Sequence, residues 1–312
     1  MTYTTSAISG QPAAVPRQAY IMLAVGILAV STAAIFIKFA QDDGVPSLVI
    51  SAGRLLVSLI VLTPIVLLRY RADLSRLSRS DLLFAALAGA VLGLHFALWI
   101  GSLEFTSVLV SVVLVTTGPL WVALLEFLFL KAKITRLVAL GLLLATIGSG
   151  IIGVGGGTGD DSAGSQPLLG AVMALGGAVS VAIYLLIGRK IRAKTSLIPY
   201  IWLVYGFAAI FLVLAILLTG TPVTGYPVSG AFWVALTGLV PQLIGHSSFN
   251  YVLKYLSATF VGLSSQIEPI GSAIAALIIF RQVPTVVQII GSFVILAGVT
   301  LATYRPNPRG KP

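Results

Sequence analysis

Ten apolar runs divide this chain of 312 residues, at about 19–40, 45–68, 82–102, 106–129, 135–154, 168–188, 197–218, 230–252, 258–280 and 284–304. A bilayer core takes ~20 apolar residues per helical span, so each run is long enough to cross one. The connections are short and leave little for a soluble domain. Lipid cannot satisfy free backbone donors and acceptors, and the strict alternation of a barrel strand is absent, so the spans must be helices. At 58% hydrophobic and 9% charged residues, a water-soluble fold of this length is excluded. The expected fold is an all-α polytopic membrane protein of ten transmembrane helices.

Half of that pattern repeats. Residues 99–153 slide without a gap onto 249–303. Pro119 then meets Pro269, Gly141 meets Gly291 and Gly148 meets Gly298, while Leu103, Ser107, Ala123 and Thr135 meet Leu253, Ser257, Ala273 and Thr285. The prolines and glycines carry the weight, since they fix where helices break and where they touch. A five-helix repeat has an odd number of crossings, so the second copy must lie inverted with respect to the first. The expected domains are 1–18, a disordered cytoplasmic N-terminus; 19–154, the first repeat; 155–167, an outside linker; 168–304, the second repeat; and 305–312, a cytoplasmic tail. Inverted repeats in a membrane chain point to a transporter whose site lies where the halves meet.

Charge fixes the orientation. With a cytoplasmic N-terminus, 16 of the 19 basic residues fall on the inside, and Asp42, Asp43, Asp160 and Asp161 fall outside. This is the positive-inside distribution, so the net charge of +10 sets topology and recruits no nucleic acid. Both termini come out cytoplasmic. The first apolar run is too long for a cleaved signal and is expected to remain as a helix. With no cysteine, disulfides, thiolate metal sites and thiol catalysis are excluded.

Polar residues at membrane depth are costly and mark sites or internal pairs. His95 and Trp99 lie four apart on the third span. Gln242, His246 and Asn250 have the same spacing on the eighth. Thr116 and Thr117 precede Pro119 as Ser264 and Ser265 precede Pro269, and each mid-span proline removes a backbone donor and is expected to break its helix. Tyr184, Trp202, Tyr205 and Trp121 add amphipathic rings. The candidate substrate-binding set is therefore His95, Trp99, Thr116, Thr117, Tyr184, Trp202, Gln242, His246, Asn250, Ser264 and Ser265, with Pro119 and Pro269 as helix breaks or gates. Glu268, Arg54 and Lys38 are the charges to be assigned to coupling or to structure: Lys38 can snorkel, whereas Arg54 is too deep to escape. Trp233, Tyr20, Tyr70, Tyr200 and Tyr304 fall near span ends and read as interfacial belts. Leu212 reads as lipid-facing.

The segment from His95 to Ile152 and that from Asn250 to Thr303, together with Lys38 and Arg54, resemble the paired repeats of the EamA family in the drug/metabolite transporter superfamily. The resemblance implies ten helices in two inverted repeats and export of metabolites. The aromatic interior is similar to that of aromatic amino acid exporters in the superfamily. One departure stands out: many members carry a Glu about a dozen residues after each repeat proline, where this chain has Lys131 and Arg281.

The residues themselves favour a related substrate class. Rings, hydroxyls, amides and imidazoles with little fixed charge suit an amphipathic neutral or zwitterionic solute. A nucleotide sugar would require more cations. A lipophilic-cation or multidrug exporter would use a deep carboxylate, for which Glu268 is the candidate. An intramembrane hydrolase would need a base and an oxyanion site around Ser264; that reading is disfavoured, as is a channel, which lacks a ring of charge. The expectation is a multi-pass carrier of the inner or plasma membrane, exporting amino acids by alternating access. It is expected to be no enzyme and to have no cofactor or metal. Its partners would be the lipid bilayer and a small-molecule substrate, with no nucleic acid and no obligate protein partner.

Overall fold

The computed structural model describes residues 15–131, 134–155, 164–192, 195–252, 255, 264 and 267–303. Most of those residues are helical, in the order α1 (Arg17–Ser31), α2 (Ala33–Asp42), α3 (Ser47–Arg69), α4 (Arg71–Ser75), α5 (Arg79–Phe105), α6 (Val108–Val115), α7 (Gly118–Leu130), α8 (Arg136–Gly155), α9 (Pro167–Arg192), α10 (Leu197–Thr219), α11 (Val228–Thr237), a π-helix (Gly238–His246), α12 (Ser247–Val252), α13 (Glu268–Phe280) and α14 (Val286–Thr303). Seven stretches among the described residues are long and apolar enough to cross a membrane, and Arg136–Ile151, Glu268–Phe280 and Val286–Ala302 are shorter apolar helices. Most of the expected N-terminal segment, linker and C-terminal tail lies outside the described residues.

Local chemistry sets where the helices start and stop. Ser78 and Asp81 form a capping box at the start of α5, satisfying donors that the first turn leaves free. The first span breaks at Thr32, where the Thr32 hydroxyl donates to Ala29 O at 2.7 Å and Ser31 to Ile27 O at 2.9 Å. Ser272 on α13 donates to the carbonyl of Ser31 at 3.1 Å, so backbone polarity exposed by the break is met from the other half of the chain.

The two halves mirror one another in detail. Pro119 and Pro269 each stand second in a 13-residue helix, not inside a continuous one. Proline is tolerated in the first turn, where its missing N–H costs nothing, so each proline opens a helix rather than kinking one. Both helices end on a left-handed cap, Lys131 and Arg281, each with φ of 54° and its N–H on the carbonyl five residues earlier, Glu126 or Ala276.

Between the repeats, α8 and α14 pack along glycines. A Cβ on Gly141 would stand 2.5 Å from Gly298 O, and one on Gly148 would stand 2.7 Å from Gly291 O. The partner number falls as the residue number rises, so these counterpart helices run antiparallel. Likewise α5 packs against α9, while α1, the counterpart of α9's first half, packs against the π-helix and α12, in the counterpart of α5. Small residues permit such close approach where lipid supplies no hydrophobic drive.

Polarity is turned inward. Leu28, Ile60, Leu68 and Leu218 are exposed, whereas Arg54, Ser58, His95, Ser102, Ser111 and Gln242 are buried. Two expectations are corrected. Leu212 is fully buried, against Gly93 of α5; α10 is apolar all round, so its sequence carries no sign of which side meets lipid. Tyr200 is buried with its hydroxyl under Gly188, not in a belt. Trp233 stacks on Phe39 at 4.5 Å and Phe36 at 5.9 Å.

Candidate functional site

Arg54 is the centre of the polar interior. It sits on α3, two turns in, and is wholly buried. Its Nη2 donates to Gln242 Oε1 at 2.7 Å, and its Cζ lies 4.2 Å from the centroid of Phe96 and 5.8 Å from that of Trp99. The ring faces stabilise the cation where water cannot. Among the described residues, nothing accepts from Arg54 Nε or Nη1, and Trp99 Nε1 is likewise buried without a partner.

The π-helix delivers Gln242 to this point. Pro241 removes a donor within it, and glycine lets the segment lie on α3. A Cβ on Gly238 would meet Arg54 O at 2.8 Å, and Ser58 Oγ lies 3.0 Å from both Arg54 O and Gly238 O. A wider turn of this kind commonly marks a functional segment. The even spacing of Gln242 and His246 suggests one α-helical stripe. In the π-helix Gln242 is buried and His246 half-buried.

His95 and Trp99 form a second wall on α5, with ring centroids 6.0 Å apart and planes within 20°. His95 Nδ1 lies 2.9 Å from Gly177 O on α9. A carbonyl only accepts, so Nδ1 carries the proton and Nε2 is left as acceptor in the neutral ring. Gly177 allows the approach: a Cβ there would stand 3.3 Å from Trp99 Cβ. Tyr205 of α10 is buried and lies beside Gln242, with Tyr184 in electrostatic range. His246 lies in range of Arg54 and His95, and Glu268, first residue of α13, in range of Arg54.

Direct contacts thus join Arg54, Gln242, Trp99 and His95, from both repeats, with Tyr184, His246 and Glu268 in electrostatic range of this group. Others stand apart. Trp202 Nε1 donates to Thr63 at 2.9 Å, nine residues along α3 from Arg54, which is ~13 Å of helix. Thr116 and Thr117 return their hydroxyls to Val113 O and Leu114 O at 3.0 and 2.6 Å, and Trp121 Nε1 donates to Thr117 at 3.2 Å; they close the break before Pro119. Lys38 pairs with Asp42 at 3.7 Å. Ser264 is half-buried, Ser265 lies outside the described residues, and so does the side chain of Asn250. Sequence reasoning missed Phe96, an apolar residue with nothing to set it apart before Arg54 is seen over its ring.

A model of the EamA-like transporter family matches residues 17–154 and 168–304. YdfC of Bacillus subtilis (strain 168), an uncharacterized transporter, is 25% identical over 217 residues, 70% of this chain and 69% of that protein. An uncharacterized transporter of Clostridium kluyveri is 22% identical over 256 residues, 81% of this chain and 82% of the other. One solved crystal structure is similar with a TM-score of 0.62, over 91% of this chain and 96% of that one; at 18% identity the likeness is one of fold.

Proposed function

Because the chain belongs to the EamA-like transporter family, we propose that it is a secondary transporter exporting small amphipathic metabolites, above all aromatic or neutral amino acids. It spans the plasma (inner) membrane ten times with both termini in the cytoplasm. Substrate sits between the repeats and is released by alternating access. No covalent chemistry is involved.

The observation that carries this reading is the buried cluster of Arg54, Gln242, His95, Trp99 and Tyr205. It draws on both repeats, so rocking one against the other would open it to either side. Its rings suit an apolar side chain and its donors suit a polar head group. A fixed cation at the centre disfavours a lipophilic cation as substrate, whatever the depth of Glu268.

The test is counterflow of radiolabelled amino acids in proteoliposomes. Wild type should exchange phenylalanine and other neutral amino acids. Trp99→Ala should lose ~1–3 kcal/mol of aromatic binding, of the order of one buried large side chain, hence about tenfold or more in apparent affinity, with a smaller loss for alanine. Leu214→Ala, on an exposed face of α10, should behave as wild type. Absence of exchange for every amino acid would overturn the substrate class.

A further inference from the structure

Arg54 has more donors than the protein supplies with acceptors. Its guanidinium carries five N–H groups. Nη2 has two hydrogens, one on each of the two edges that offer a parallel pair, and Gln242 takes one of them at 2.7 Å. Nε and Nη1 are buried, with nothing among the described residues to accept from them, and no salt bridge among those residues reaches Arg54. Whichever hydrogen Gln242 holds, one edge keeps both of its N–H groups. Trp99, whose ring centroid lies 5.8 Å from Arg54 Cζ, also has a buried N–H without an acceptor. Buried donors are rarely left so, and an uncompensated buried cation costs more than a neutral polar group. A tie between helices needs no charge, so holding Gln242 does not account for a cation here. The face of the guanidinium is covered by Phe96 at 4.2 Å, which leaves its edge for recognition.

We propose that the free edge of Arg54 is a receptor for the carboxylate of the solute, and that the chain selects its substrates by that group. This rests on the transport reading above and deepens it. Arg and Trp side chains donate and do not accept, so the group that meets them must accept without donating. A carboxylate does this with two oxygens that match a parallel pair of N–H groups, and it carries the charge that complements Arg54. An amide, an alcohol or an ammonium brings donors of its own, and the last adds a second cation. A phosphate dianion would call for a further cation, and Lys38 on α2 is paired with Asp42 at 3.7 Å. Arg54 belongs to the first repeat and Gln242 to the second, so the bond between them crosses the interface where the transport reading puts the solute. That bond and the ring of Phe96 fix the plane of the guanidinium. The apolar part of the solute then lies against Trp99.

Competition against radiolabelled phenylalanine exchange in proteoliposomes reads the carboxylate alone. The competitors are unlabelled phenylalanine, phenylalaninamide and phenylalaninol, which share ring and amine and differ at the carboxyl carbon. On wild type the amide and the alcohol should compete at least about tenfold more weakly than the acid, the loss of one charge-assisted pair. Arg54→Gln should remove most of that gap. Gln242→Glu should remove it by another route: the nearly isosteric side chain keeps the bond to Nη2 and sets a carboxylate of the protein's own on Arg54. A residue that only ties helices would slow all three solutes alike in the first variant and leave their ratios unmoved in both. A variant that folds but exchanges no phenylalanine is read by the rise each solute causes in its unfolding temperature, where the same order applies. If wild type exchanges phenylalanine but all three compete alike, the receptor assignment falls and the transport reading stands. The same holds if either folded variant keeps the wild-type gap. If Arg54→Gln does not fold, Gln242→Glu decides. Wild type that exchanges no amino acid removes both readings.

Discussion

His95 is held by the backbone it faces. With Nδ1 on Gly177 O it ties α5 to α9, and its ring lies beside Trp99. Asparagine can place an amide N–H near the same carbonyl, whereas alanine leaves a cavity and an unmade bond. His95→Asn should therefore keep most of the thermal stability in detergent, and His95→Ala should cost ~1–3 kcal/mol. Equal unfolding temperatures for the two variants would show the tie to be idle. The sequence exposes His95, Trp99, Gln242 and Arg54, because polar groups at membrane depth are conspicuous against an apolar background. It does not expose which of them touch: the Arg54–Gln242 bond spans 188 positions. Trp202 stands out just as clearly and yet binds Thr63, since an indole N–H needs a partner wherever it is buried.

Among the elements, the glycine positions are the most legible, and the α8–α14 seam shows why. Gly141, Gly148, Gly291 and Gly298 match across the repeat in sequence, and in space they place backbone against backbone. Gly148→Val would press a branched side chain against Gly291 O and Ile295. The two helices would have to separate, at a cost of ~1–3 kcal/mol or more. A fall in the unfolding temperature measures it, and Gly150→Val, at a position where a Cβ would meet nothing within 4 Å, is the matched control. The π-helix at Gly238–His246 was not legible. Pro241 and the flanking glycines permit a break there, but only packing on α3 selects the wider turn. The facing of α10 was hidden for a related reason: an apolar surface all round gives no periodicity to read.

For the whole molecule the open quantity is sidedness. The chain has no cysteine, so single thiols report cleanly. Ser165 and Ser196 are both exposed. Ser165→Cys should react with an impermeant maleimide on intact cells, and Ser196→Cys only after permeabilisation. Labelling of both from one side would refute the proposed orientation. Ser196 donates to Asp73, which puts the α9–α10 connection beside the α3–α5 connection, as short basic loops on one face require. The α8–α14 seam carries a consequence for how such a chain could arise. Each glycine there meets the counterpart of its partner's own contact, the reciprocity of a two-fold association between like surfaces. Nothing in that contact depends on the two halves being one polypeptide. A half-length ancestor inserted in both orientations would already possess it, and fusion would add only a guaranteed one-to-one ratio of the two.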